Sequence, residues 1–114
     1  MTDCLFCRIV SGEIDTKIVE EGSDWIAFPD LEPQAPVHIL IVPREHVATL
    51  NDLEERHEDL VGAMVRGAAR IAAAHGIDED GYRLVFNTNP GGGQSVFHFH
   101  LHLLGGRAMR WPPG

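Results

Sequence analysis

The sequence predicts a single domain of β-strands with one long α-helix, and three observations carry that reading. Val37-His38-Ile39-Leu40-Ile41-Val42 is almost wholly apolar and rich in β-branched residues, the mark of a strand covered on both faces. Between residues 51 and 75, Leu60, Met64, Ala68 and Ile71 recur at helical spacing beside Val61, Val65, Ala69 and Ala72, giving one apolar stripe. His98, His100 and His102 alternate with Phe97, Phe99, Leu101 and Leu103, and a period of two belongs to a strand. A chain of 114 residues can bury about two-thirds of the surface its unfolded form exposes, so one domain spanning 1–114 suffices.

Composition narrows the class of function. The apolar share of 44% and charged share of 23% are ordinary for a globular protein. A net charge of −8 and a pI near 5.2 argue against a general nucleic-acid binder, which carries a basic footprint. They leave room for a single nucleotide, because N–H donors can make a pocket locally receptive to phosphate. No apolar run approaches the ~20 residues needed to span a bilayer, and no charged start leads into an apolar stretch with a cleavage site. A cytoplasmic protein is expected, with no membrane and no nucleic-acid polymer as partner. Cys4 and Cys7 form a C-x-x-C, which in this setting reads as metal or redox chemistry sooner than as a disulfide framework.

Taken in order, Cys4 and Cys7 can supply two ligands to a zinc ion, which needs two more from elsewhere. A thioredoxin-like reading lacks its βαβ context. Residues 17–20 and 25–28 read as strands around the turn cluster Glu21-Gly22-Ser23-Asp24. Pro29-Asp30-Leu31-Glu32-Pro33 then breaks regular structure. Asp30 has two readings, a turn carboxylate or an acceptor for two neighbouring hydroxyls such as those of a ribose. Pro36 and Pro43 bracket the central strand, whose His38 needs partners for both ring nitrogens. His46 follows in a short polar link from which it can reach a metal. Asn51-Asp52-Leu53-Glu54 has the pattern of a capping box, and the helix runs from there to His75, where Gly76 stops it. Glu54, Glu55, Glu58 and Asp59 near its start and Arg66 and Arg70 further along suit the helix dipole. His57 and His75 are expected on its surface. Residues 82–87 form another strand, which Thr88-Asn89-Pro90-Gly91-Gly92-Gly93-Gln94 returns as a hairpin to the histidine strand. Trp111, near the end of the sequence, is costly to leave wet and should fold back or dock on a partner.

On a continuous strand the three imidazoles would share one face, roughly 7 Å apart, with Phe97, Phe99, Leu101 and Leu103 turned to the core. A half-exposed strand that is merely rich in histidine accounts poorly for three in strict alternation directly after three glycines. Glycines let backbone N–H groups approach an anion closely, and Gln94 and Ser95 add side-chain donors beside them. A neutral imidazole can attack phosphorus and split one displacement into two, provided an acceptor holds its other nitrogen. A neighbouring imidazole could steady the phosphoryl oxygens. The competing reading is a histidine zinc site with metal-activated water, but a row spanning roughly 13 Å lets at most one or two of the three converge on one ion.

His98-Phe99-His100-Leu101-His102-Leu103-Leu104 resembles the H-φ-H-φ-H-φ-φ signature of the histidine triad superfamily. Gly92-Gly93-Gln94-Ser95 before it, Leu104-Gly105-Gly106-Arg107 after it, and the tail Trp111-Pro112-Pro113-Gly114 are similar to the Hint branch. Pro29-Asp30, Pro33-Gln34-Ala35-Pro36, His38, Ile41-Val42-Pro43 and His46 fit as well, so the resemblance covers essentially the whole chain. It implies an α+β fold, a five-stranded antiparallel sheet with one main helix, paired into a ten-stranded sheet in a homodimer. It also implies a purine nucleotide-binding hydrolase that cleaves nucleoside 5′-phosphoramidates and acyl-adenylate-like compounds, releasing AMP or GMP. His100 would be the nucleophile that becomes nucleotidylated, His102 would contact the phosphate, and His38 would join the catalytic set. Ser95 would serve the leaving group, with Gln94, Gly93 and Asn87 around the phosphate. Asp30 would hold the ribose hydroxyls, Leu5, Phe6, Ile9, Phe28 and Leu31 would wall the base, and Trp111 would lie near the partner protomer's site. Cys4, Cys7, His46 and His98 would complete a structural zinc tetrahedron that fixes His98 without touching substrate. The alternative function is a nucleotide-binding interaction module whose turnover is incidental.

Overall fold

In the computed structural model, which describes residues 3–114, five strands form one antiparallel sheet. They are β1 (Glu20–Glu21), β2 (Trp25–Pro29), β3 (Val37–Pro43), β4 (Tyr82–Phe86) and β5 (Leu101–Gly105), side by side in the order β1-β2-β3-β5-β4. A short helix α1 (Leu5–Val10) precedes the sheet, and the main helix α2 (Glu58–Ala74) lies between β3 and β4 in sequence.

Strand register alone divides the molecule into two halves. Ala27 pairs with Ile41 and Ile41 with Leu101, whereas Phe28 pairs with Leu40 and Leu40 with His102. Cross-strand partners share a face and successive residues alternate. On the first face Trp25, Ala27, Ile39, Ile41, Leu101 and Leu103 pack under Met64, Ala68, Ile71 and Ala72 of α2. Gly67 lets the helix sit close, since a Cβ there would stand 2.6 Å from the Trp25 ring. On the second face Ile26, Phe28, Leu40 and Val42 lie under Phe6 and Ile9 of α1. Six residues make too short a helix to persist alone; burying Phe6 and Ile9 at about 1.5–3 kcal/mol each holds it down.

Several expectations are corrected. Residues 17–20 do not form a full strand: only Glu20 and Glu21 enter the ladder, with Val19 N–H reaching Ala27 O at 2.8 Å. The main helix begins at Glu58, seven residues after Asn51. Thr49, not Asn51, caps a single 3₁₀ turn with Asp52 as its reciprocal acceptor, and Leu53 then leaves helical geometry at ψ 145°. His57 is buried at 3% exposure and not on the surface, because its Nδ1 accepts the Glu54 N–H at 2.8 Å. The histidine row does not ride on one strand either. The chain bends at residues 96–98 and β5 starts only at Leu101, so Phe97 is exposed at 42% while Phe99, Leu101 and Leu103 alternate into the core.

Candidate active site and metal cluster

The second face of the sheet opens into a cavity of about 370 Å³, a size that suits a small ligand. Leu5, Phe6 and Ile9 of α1 form one wall, Phe28 and Leu40 the floor, and Asp30, Leu31 and Glu32 the rim after β2. His100, His102 and Ser95 complete the lining. His102 reaches this floor because it stands in register with Leu40, which stands in register with Phe28. The lining contains no lysine or arginine, so imidazole, hydroxyl and backbone groups must meet any anion there.

A chain of hydrogen bonds assigns the proton on each ring. The Gln34 backbone N–H donates to His38 Nδ1 at 3.0 Å, so neutral His38 carries its proton on Nε2. That nitrogen lies 3.0 Å from His102 Nδ1 and 3.4 Å from Asp30 Oδ2. His102 Nδ1 therefore accepts, and neutral His102 carries its proton on Nε2. Among the described residues, His102 Nε2 is the one buried side-chain nitrogen or oxygen with no partner. His100 has the opposite tautomer: its Nδ1–H donates to the His98 carbonyl at 2.7 Å, leaving a bare lone pair on Nε2. The two rings are 4.9 Å apart. Burial pushes His38 and His100 below the ordinary histidine range, against the pull of Asp30. Burial, reinforced by His100 and His38, pushes His102 down to about 4. The tautomers just derived thus belong to neutral rings at pH 7. Such a pair can present a nucleophile and a proton donor to one phosphorus centre.

Asp30 bears out the turn reading of its carboxylate. One oxygen accepts the Glu32 N–H at 2.8 Å, closing a turn, while the other faces His38.

His98 turns away from the cavity and meets Cys4, Cys7 and His46. Cys4 Sγ and Cys7 Sγ lie 3.4 and 3.5 Å from His98 Nδ1, Cys7 Sγ lies 3.3 Å from His46 Nδ1, and the two Nδ1 atoms are 3.3 Å apart. Tetrahedral zinc with ordinary bond lengths separates N–N pairs by ~3.3 Å and S–N pairs by ~3.6 Å, so the donor set fits. The hydrogen bonding fits as well. His98 Nε2–H donates to the Pro43 carbonyl at 2.8 Å, which leaves Nδ1 unprotonated and aimed at the cluster, as a ligand requires. Asp30, His38 and His102 form a second group close enough to bracket an ion. That group is poorly set up as a metal site, because the Gln34 N–H bound to His38 Nδ1 forces the proton onto the nitrogen that would have to ligate.

The cavity thus gathers Leu5, Phe6, Ile9, Phe28, Asp30, Leu31, Ser95, His100 and His102, with His38 behind them. Asn87, Gly93, Gln94 and Trp111 lie outside its lining. The donors expected from the glycine loop are spent within it: Gly92, Gly93 and Gln94 N–H bond to Asn89 or Pro90 carbonyls. The Gln94 amide is likewise engaged, with Asn89 N–H, Ala48 O and Val96 O. Trp111 is 83% exposed. Sequence reasoning missed Ile14, Asp15, Thr16, Pro29, Glu32, Leu40 and Val96 in the lining. Only Leu40 carried a signal, as the residue two along from His38 on a strand whose faces alternate. It also missed Gln34, whose contribution is a backbone N–H that no side-chain pattern announces.

A five-stranded α+β domain with a bare imidazole nitrogen beside an imidazole N–H at the floor of one cavity is a protein of the histidine-triad class. Comparison with known proteins agrees. Residues 11–109 match the HIT domain family, and the chain belongs to that family. It is 49% identical over 107 residues to a purine nucleoside phosphoramidase of Escherichia coli, covering 94% of this chain and 90% of that one. It is 46% identical over 114 residues to a 14 kDa zinc-binding protein of Brassica juncea, covering 98% and 100%. Its structure resembles that of a HIT family hydrolase from Legionella pneumophila with a TM-score of 0.95 at 53% identity, over 98% of this chain and 100% of that one.

Proposed function

We propose that residues 1–114 act as one cytoplasmic domain, a hydrolase that cleaves purine nucleoside 5′-phosphoramidates and acyl-adenylate-like compounds and releases AMP or GMP. The observation that carries this reading is the pair of opposite tautomers at the cavity floor, His100 Nε2 bare and His102 Nε2–H without a partner. In the first step His100 Nε2 attacks phosphorus, a phosphorus–nitrogen bond to the ring forms, and the substrate's bond to its leaving amine breaks. The positive charge arising on His100 is met by the His98 carbonyl already bonded to Nδ1–H. His102 Nε2–H donates to a phosphoryl oxygen, and His38 holds His102 in the tautomer that makes this possible. The departing amine takes up a proton drawn from solvent and relayed by the hydroxyl of Ser95, which lines the cavity. Water then displaces His100 from phosphorus, passing a proton back along the same route and restoring the lone pair.

Asp30 takes the ribose hydroxyls with its carboxylate at the rim, and Leu5, Phe6, Ile9, Phe28 and Leu31 clasp the purine. Asn87, Gly93 and Gln94 shape the loop on the phosphate side. Cys4, Cys7, His46 and His98 hold a structural zinc ion, which supplies a cross-link between α1, the loop after β3 and the triad segment. The homology to a zinc-binding protein supports that assignment. A homodimer with a ten-stranded sheet is supported by the outer edge of β4, which has no strand beside it among the described residues, and by the exposure of Trp111.

The test is AMP release from an adenosine 5′-phosphoramidate by wild type and His100→Ala, with mass spectrometry of the base-stable, acid-labile protein adduct after brief mixing and an alkaline quench. A transient gain of one nucleotidyl mass in wild type and none in the variant is expected. Full activity in His100→Ala would remove His100 as the nucleophile. An inert wild type that still binds AMP would make the protein a nucleotide-binding module.

A further inference from the structure

The metal cluster draws three of its four members from well-anchored places. Cys4 and Cys7 stand at the start of α1, and His98 is fully buried, bonded through its ring to Pro43. His46 is different. It is exposed and sits between β3 and the next turn with no ladder of its own. Its neighbours on both sides contact the triad segment, Pro43 O through His98 Nε2 and Val47 O through Phe99 N–H at 2.6 Å. Whatever sets the path of residues 44–47 therefore sets both a metal ligand and the backbone that carries the catalytic histidines.

Arg44 ties one side of this loop to the turn after β1, through its N–H to Asp24 O at 2.9 Å and its guanidinium to Glu21 and Gly22; the other side is tied to the segment before α2 by Glu45. Its carboxylate receives a two-pronged bond from Arg56, Nη1 to Oε1 at 3.2 Å and Nη2 to Oε2 at 2.7 Å. Both oxygens also lie 3.3 Å from His57 Nε2. His57 in turn is locked, its side chain buried and its Nδ1 occupied by the Glu54 N–H. The acceptor role of Nδ1 puts the neutral ring's proton on Nε2, facing Glu45. An exposed ion pair alone fixes little; a paired guanidinium together with a buried imidazole whose tautomer is preset defines a position.

We propose that Glu45, gripped by His57 and Arg56, is a positioning residue for the metal cluster: it holds the loop so that His46 completes the tetrahedron for a divalent cation of zinc's preference. The inference rests on the zinc reading above. Groups that orient a metal ligand from outside the coordination shell commonly change affinity by about 10–100-fold when removed, and a tether one residue from the ligand belongs at the lower end of that range.

The experiment compares wild type, Glu45→Ala and Glu45→Gln as reduced full-length chains. Zinc affinity is read by competition with a chromophoric chelator, the visible d–d bands of the cobalt(II)-loaded protein report ligand geometry, and melting is followed with and without metal. Expected are a roughly 10-fold loss of zinc affinity in Glu45→Ala, altered cobalt bands, and a larger melting shift in the loaded protein than in the metal-free one. Glu45→Gln keeps one acceptor oxygen but turns an NH2 towards the donors of Arg56 and His57, and should recover only part of the affinity. Wild-type affinity and unchanged bands in Glu45→Ala would overturn the positioning role, as would an equal melting loss with and without metal. Failure of wild type itself to take up zinc or cobalt would instead overturn the zinc reading beneath it.

Discussion

Two clusters of metal-capable side chains meet along residues 98–102, and they differ in what stands behind the rings. Cys4, Cys7, His46 and His98 form one; Asp30, His38 and His102 form the other. In both, the ligand-type atoms lie within 4.8 Å of one another. Behind His98 is the Pro43 carbonyl, which takes a proton from Nε2 and leaves Nδ1 bare for a cation. Behind His38 is the Gln34 N–H, which occupies Nδ1 and pushes the proton inward toward His102. One carbonyl and one N–H thus separate a candidate metal site from a proton-ordering one. Residue types and distances alone would not have told them apart.

The comparison breaks most visibly at His100. Replacing it with Ala should lower AMP release by roughly 10³-fold or more, because no other bare imidazole nitrogen faces the cavity; a steady-state assay checks this. His38→Phe fills the same space but removes the proton donor to His102 Nδ1, letting that ring's proton move to the wrong side. A loss on the order of 10²-fold in kcat is expected, with nucleotide binding changed far less, as a KM and AMP-binding comparison would reveal. Chelating zinc should act on the other cluster. Turnover per folded molecule should stay within about 10-fold, while melting falls by roughly 10 °C for a loss of ~2 kcal/mol. Abolished turnover in a still-folded, zinc-free chain would place the metal in the chemistry.

A further effect is on stability against acid. His102 titrates near 6.5 when unfolded and at about 4 when folded. Between those values the unfolded chain binds more protons, so stability rises with pH across the window and is lost as pH falls from about 6.5 to about 4. His38 and His100, shifted the same way, add to the slope. Urea midpoints from pH 7 to 4.5 should therefore fall, and His102→Gln should flatten the curve. A wild-type midpoint that holds steady across that range would contradict the buried, neutral state of these rings.

Much of this was legible in the residues. The continuous apolar run of 37–42 and the stripe of α2 pointed to a sheet covered on both faces, and the triad pattern pointed to the family. Where the reading failed, the cause was backbone geometry. His98 and His100 lie ahead of β5 because the chain bends at residues 96–98, and no side-chain period records a bend. Thr49 captured the cap expected of Asn51 because its hydroxyl accepts the Asn51 N–H at 3.1 Å and Asp52 closes back on its own N–H. His57 looked like a surface residue because its sequence neighbours are charged, yet Glu45, from the loop after β3, meets its buried ring. The helix α1 left no periodic trace in six residues. Gln34 acts through its main-chain N–H and Pro43 through its carbonyl, groups that no side-chain pattern records.

The most direct measurement is the tautomeric state of each ring, read from long-range proton–nitrogen NMR correlations in the ¹⁵N-histidine protein at pH 7. The structure calls for a proton on Nδ1 of His100 and on Nε2 of His38, His98 and His102, all four neutral. Finding His100 protonated on Nε2, or His102 on Nδ1, would remove both nucleophile and donor from the cavity and contradict the account.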